Sequence, residues 1–143
     1  MSIIQSWQFW AFLAAVFAAL TAVFAKIGIE NVGSDMATLI RTAIILLLSL
    51  AIVISFGQWQ ALNTIPSRTW IFLLLSGLAT GASWLCYFRA LKLGPASQVA
   101  PIDKLSVVMV AVFAALFLGE RLSTLGWAGV VLIGLGAVLV AVA

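Results

Sequence analysis

The sequence predicts an all-α integral membrane protein, a bundle of five transmembrane helices. Three observations carry that prediction. Of 143 residues, 65% are hydrophobic and only 8% are charged, against about 25% in an ordinary soluble domain. So few charges cannot cover the surface of a soluble protein. The apolar residues also fall into five runs, each near the ~20 residues that a helix needs to cross a ~30 Å hydrocarbon core. Finally, none of these runs alternates apolar with polar residues, which excludes the strands of a membrane barrel. Helices remain, because a helix satisfies its backbone polar groups within one segment.

Taken in order, the first span is expected at about 7–27, from Trp7 to Ile27, and carries Ala11, Ala15, Ala18, Ala22 and Ala25 close to one face. It lacks a basic leading segment and ends in Lys26-Ile27-Gly28 rather than a small-residue cleavage site, so a signal peptide is not expected. The polar stretch Glu30-Asn31-Val32-Gly33-Ser34-Asp35 separates it from the second span, about 36–56, from Met36 to Phe56. Asn63-Thr64-Ile65-Pro66-Ser67 precedes the third, about 70–90, from Trp70 to Ala90. Gly94-Pro95 precedes the fourth, about 98–118, from Gln98 to Leu118, and Gly119-Glu120-Arg121 precedes the fifth, about 124–142, from Thr124 to Val142. The whole chain, 1–143, reads as one transmembrane domain whose first partner is the lipid bilayer.

Several function classes drop out. The net charge of +3 is too small to argue for nucleic acid. There is no histidine and one cysteine, Cys86, inside an apolar run. No metal cluster, cofactor or disulfide framework is expected from that inventory. With no clustered acid pair and no nucleophile beside a base, an enzyme is not expected either.

The charges are distributed unevenly. Lys26, Glu30, Asp35, Arg41, Arg89, Lys92, Asp103 and Lys104 gather toward the side of the first and third loops, and only Arg68, Glu120 and Arg121 lie on the other. The excess of Lys and Arg places loops one and three in the cytoplasm, with the N-terminus outside and the C-terminus inside. Without Arg41 and Lys104, which fall within spans, the count is nearly balanced, which leaves dual topology open. The depth of three charges is the sharper signal. Arg41, Asp103 and Lys104 each sit four or five residues inside a span, roughly 6–8 Å at 1.5 Å per residue. Intramembrane charge calls for a partner or a wet cavity, so these three residues are candidates for a polar vestibule that binds substrate or couples protons. The competing explanation is that Arg41 and Lys104 snorkel to the headgroups while Asp103 favours the first turn of its helix.

Pro101 has two readings as well. Within a helix it denies the Ser97 carbonyl its donor and kinks the axis; in a first turn it is ordinary. Trp7, Trp10, Trp59, Trp70 and Trp127 lie near span ends and read as interface anchors. Trp84 lies deeper, three residues before Tyr87, and the two suit either a cavity wall or core packing. Small residues recur as Gly77 and Gly81 in the third span and as Gly126, Gly129, Gly134 and Gly136 in the fifth. They allow close helix approach, within the bundle or, for the fifth span, at a dimer seam.

Three stretches have a familiar pattern: Ala90-Leu91-Lys92-Leu93-Gly94-Pro95-Ala96-Ser97, Pro101-Ile102-Asp103-Lys104-Leu105-Ser106 and Leu118-Gly119-Glu120-Arg121-Leu122. Together with Phe24-Ala25-Lys26, Leu39-Ile40-Arg41 and the glycine-rich fifth span, the chain resembles the EamA-like domain of the drug/metabolite transporter superfamily over essentially its whole length. Full-length members usually carry two inverted five-helix repeats, and this chain corresponds to one. The resemblance implies a secondary transporter, an exporter, of a small metabolite or drug-like solute in the plasma (inner) membrane. It also implies a homodimer or a homologous partner chain, because inverted-repeat transporters place the site between repeats. The related four-helix small multidrug exporters use a glutamate in the first helix, and the first span here has no acid, which leaves Asp103 as the proton-coupling candidate. Arg41 and Lys104 against Asp103 favour anionic or zwitterionic solutes over lipophilic cations. A non-transporting membrane subunit or lipid-handling accessory protein is the alternative.

Overall fold

A computed structural model describes residues 6–143, and among them every regular element is helical. Helix α1 spans Trp7–Gly28, α2 Ser34–Ser55, α3 Ser67–Leu93, α4 Ala96–Asp103, α5 Leu105–Phe113 and α6 Thr124–Val142. A short 3₁₀ turn, Leu62–Thr64, lies between α2 and α3, and a π turn, Ala114–Leu118, continues α5. Among the described residues, five stretches are long and apolar enough to cross a bilayer: α1, α2, α3, the composite Ala96–Leu118, and α6. Large apolar side chains stay exposed along them, with Phe12 at 71%, Leu46 at 67% and Leu116 at 71%. Such faces are stable only against lipid or another apolar partner. The protein is therefore an all-α, multi-pass membrane protein.

The helices extend beyond the apolar runs. Ser34, Asp35 and Ser67 belong to helices rather than to the breaks expected there, and α3 continues past Ala90 to Leu93. Hydropathy reports where the hydrocarbon ends, whereas a helix continues as long as its backbone is satisfied. Local chemistry then sets the ends. Ser6 caps α1 by accepting from the Phe9 amide at 3.3 Å, and Ser123 caps α6 by accepting from the Gly126 amide at 3.1 Å. Helix α2 ends in a Schellman arrangement. Gly57 adopts φ +62°, its amide bonds the Ile54 carbonyl, and the Gln58 amide bonds the Val53 carbonyl. The π turn ends at Gly119, φ +68°, where the Glu120 amide reaches back to the Ala114 carbonyl at 3.1 Å.

The chain divides into two compact units, Ile27–Lys92 and Met1–Lys26 with Leu93–Ala143. In the first, long side chains join α2 to α3. Arg89 pairs with Asp35 at 3.2 Å, and Lys92 Nζ donates to the Val32 carbonyl at 2.6 Å. As the residue number rises along one partner it falls along the other, so this end of α3 runs antiparallel to the start of α2. In the second unit, α6 packs against α4 and α5. Lys26 Nζ there donates to the Gly94 carbonyl at 2.8 Å, tying the end of α1 to the turn before α4. Three cations first read as topology signals thus also hold carbonyls or a carboxylate.

Candidate functional site

The fourth span is not one continuous helix. Pro95 precedes α4 in extended conformation, and its carbonyl accepts from the Gln98 and Val99 amides. Pro101 lies inside α4, where its missing N–H leaves the Ser97 carbonyl without an intrahelical donor. Two residues later the helix stops. The Lys104 amide is shared between the Ala100 carbonyl at 3.3 Å and the Pro101 carbonyl at 3.0 Å, and Lys104, still right-handed helical, has its ψ at −7°, well away from the usual α-helical value of about −42°. The chain restarts as α5 at Leu105, with the Val107 amide on the Lys104 carbonyl. Asp103 and Lys104 flank this break and pair with each other, Nζ to Oδ2, at 3.1 Å. Asp103 is the eighth and last residue of α4, about 10 Å along the axis from its start at 1.5 Å per residue. A second irregularity, the π turn at Ala114–Leu118, ends the same span. Such turns concentrate at functional segments.

Arg41 is the eighth residue of α2. It belongs to the other compact unit and is described there with its own neighbours. Its guanidinium carbon lies 3.9 Å from the centroid of the Trp84 ring and 5.7 Å from that of Phe88. Trp84 and Phe88 are four residues apart on α3 and share a face, and Tyr87 lies within the same turn. Phe88 is buried, whereas Arg41, Trp84 and Tyr87 are half-buried. Around Arg41 the hydroxyls bond the preceding turn of the helix, Thr38 to the Ser34 carbonyl and Thr42 to the Thr38 carbonyl. Among the described residues no buried side-chain nitrogen or oxygen lacks a partner.

A cation on aromatic faces gains about 0.5–1 kcal/mol when exposed and about 2 when desolvated. An arginine at the centre of a membrane helix costs about 2.5–3.5 kcal/mol on insertion scales, and Arg41, eighth of the 22 residues of α2, lies short of the centre, where the cost is lower. The aromatic contacts therefore offset at least part of that cost.

The glycines of α6 separate by direction. A Cβ on Gly134 would lie 3.3 Å from Val108 Cγ2, so this glycine is used in packing α6 on α5. A Cβ on Gly126 would meet the side chains of Leu122 and Ser123, just before α6 begins, while Gly129 and Gly136 face open space to 4 Å. Seven residues at 100° bring Gly136 within about 20° of Gly129, whereas Gly134 lies on nearly the opposite side. Among the described residues, no group of three His, Cys, Asp or Glu is placed to hold a metal ion.

Sequence reasoning missed Phe88, Asp35 and Arg89. The signal for Phe88 was its i, i+4 spacing from Trp84. For the Asp35–Arg89 pair there was none, because it depends on how α3 returns along α2.

The match with known proteins covers nearly all of this framework. The EamA-like transporter family matches residues 5–142. A Sinorhizobium sp. protein named "Uncharacterized transporter in cobO 3'region" is 66% identical over 138 residues, covering 96% of this chain and 98% of that protein. A Bacillus subtilis (strain 168) protein named "Uncharacterized transporter YxxF" is 29% identical over 131 residues, covering 91% of this chain and 40% of that protein. No solved structure matches. With five apolar helices and this coverage, the chain belongs to the EamA-like transporter family.

Proposed function

We propose that this transporter is a secondary exporter of a small metabolite or drug-like solute in the inner membrane. The observation that carries the reading is the break in the fourth span. An acid and a base, Asp103 and Lys104, flank a helix interrupted within an apolar stretch. Discontinuous helices with ionisable residues are how secondary transporters build ion and substrate sites inside the bilayer. Asp103 is assigned to proton coupling, with Lys104 as its counter-charge. Arg41, Trp84 and Tyr87 are assigned to substrate binding, and Pro101 to the interruption. The test is uptake by the purified protein in lipid vesicles under imposed pH gradients. Solute movement that responds to the gradient in the parent and loses that response in Asp103→Asn supports the reading. Movement that is indifferent to pH in both removes the coupling role.

The working unit is assigned to a homodimer or to this chain with a homologous partner. The Bacillus relative supports this, since the chain matches 40% of it and leaves length there for a second unit of the same size. The outward pair Gly129 and Gly136 is the favoured seam, because small residues there let a second helix approach closely. Gly134 is already taken up by packing within the chain.

A further inference from the structure

We propose that Arg41, laid on the faces of Trp84 and Phe88, is an oxyanion-recognition site, so that the solute carries a carboxylate or phosphoryl group. This rests on reading the chain as a transporter and names its substrate class. Three observations lead to it. The guanidinium is in face contact with Trp84, its carbon 3.9 Å from the ring centroid. A guanidinium stacked on a ring uses its face and keeps its N–H donors, which lie in its plane, free for hydrogen bonds. Acid is also scarce. The chain has four carboxylate side chains: Asp35 is paired with Arg89, Asp103 with Lys104, and Glu30 and Glu120 lie between helices. Among the described residues Arg41 forms no ion pair.

The third observation is the company Arg41 keeps. Trp84 contributes an indole N–H, a donor with no acceptor lone pair. A cation, a donor and aromatic faces complement a small organic anion with a flat apolar body. The same residues offer a cationic solute no carboxylate to pair with. The planar fork of arginine matches a carboxylate or phosphoryl group with two parallel hydrogen bonds, which a lysine ammonium does not reproduce.

The test uses the full chain in dodecyl maltoside micelles, which contain no phosphate. The probes are benzoate, phenylphosphonate, neutral benzamide and cationic benzylammonium. The ¹⁵N resonance of the Arg41 Nε, assigned by its loss in Arg41→Lys, is followed during each titration, with tryptophan fluorescence as the binding signal. The expected result is a saturable shift with benzoate and phenylphosphonate and none with benzamide or benzylammonium. Arg41→Gln should weaken anion binding about tenfold to a hundredfold, the usual loss for hydrogen bonds to a charged group. Trp84→Phe, which keeps a ring under the guanidinium but loses the indole N–H, should weaken anion binding several-fold, less than Arg41→Gln does. The parent resonance decides the matter even if Arg41→Gln misfolds. Equal shifts with benzoate and benzamide, preference for benzylammonium, or no shift with either anion would overturn the assignment.

Dihexanoyl phosphatidylglycerol distinguishes the source of the oxyanion. Displacement of benzoate by this lipid assigns the site to a headgroup, and retention of benzoate assigns it to a soluble solute. Vesicle flux separates this inference from the transporter reading. Anion binding without flux of any solute leaves the site standing and removes transport. Flux of a neutral or cationic solute alone keeps transport and removes the oxyanion site.

Discussion

Leucine substitution at three glycines of α6 should produce two opposite phenotypes. A Cβ at Gly134 would stand 3.3 Å from Val108 Cγ2, already tighter than ordinary van der Waals contact before the rest of a leucine is added. Overpacking of this kind costs typically about 1–3 kcal/mol. Gly134→Leu should therefore lower the stability of the single chain by that amount. Gly129 and Gly136 have no atom within 4 Å of a Cβ. Replacing either glycine removes a poor helix former and gains up to ~1 kcal/mol of helix propensity. Gly129→Leu and Gly136→Leu should leave the single chain as stable as the parent or slightly more so. If the two glycines form the seam, the same leucines should weaken association by about 1–3 kcal/mol, or roughly five- to 150-fold in Kd. Thermal unfolding by circular dichroism at low protein-to-detergent ratio reports the first quantity, and Förster transfer between labelled copies in vesicles reports the second. Loss of chain stability in Gly129→Leu, or loss of association in Gly134→Leu with unchanged melting, would refute the directional assignment.

Three further outcomes follow from the same geometry. Asp103→Asn should keep the fold, because asparagine preserves shape and most hydrogen bonding, while pH-driven uptake in vesicles falls or becomes insensitive to the gradient. Gly119→Ala should cost about 1–2 kcal/mol in unfolding free energy from the left-handed φ alone, since open space surrounds a Cβ there; a melting curve matching the parent would contradict this. A cysteine at Ser97 in a Cys86→Ala chain should react only from the cytoplasmic side of oriented vesicles, and reaction from both sides would establish dual topology.

The sequence made the spans visible because lipid imposes a strict rule on composition, and the runs from Trp7, Met36, Trp70, Gln98 and Thr124 obey it. Helix ends were less visible. Ser34, Asp35, Arg89 and Lys92 are polar yet helical, and beyond the hydrocarbon a hydropathy pattern carries no information about helix length. Pro101 allowed either a kink or an ordinary first turn, so the end of α4 at Asp103 was not decided by residue type alone. The π turn at Ala114–Leu118 was not signalled, because no residue type specifies an i→i+5 bond; only Gly119 marked the end. For the candidate site, the depth of Arg41 and Trp84 along their own helices could be counted from sequence. Their stacking could not, since it requires the register of α3 on α2 across the intervening loop. The division of the glycines was equally hidden, because spacing gives the angle between Gly129, Gly134 and Gly136 but not which side meets Val108.

The most direct test of a transporter with an intramembrane charged site is uptake by the purified chain in lipid vesicles. A panel of small carboxylates, phosphate esters, zwitterions and organic cations would be presented under inward and outward pH gradients. Saturable uptake of at least one anionic or zwitterionic solute above empty vesicles is expected, with Arg41→Gln reducing uptake and Asp103→Asn abolishing its response to pH. Vesicles of folded, fully inserted protein that move no member of the panel faster than empty vesicles would contradict it.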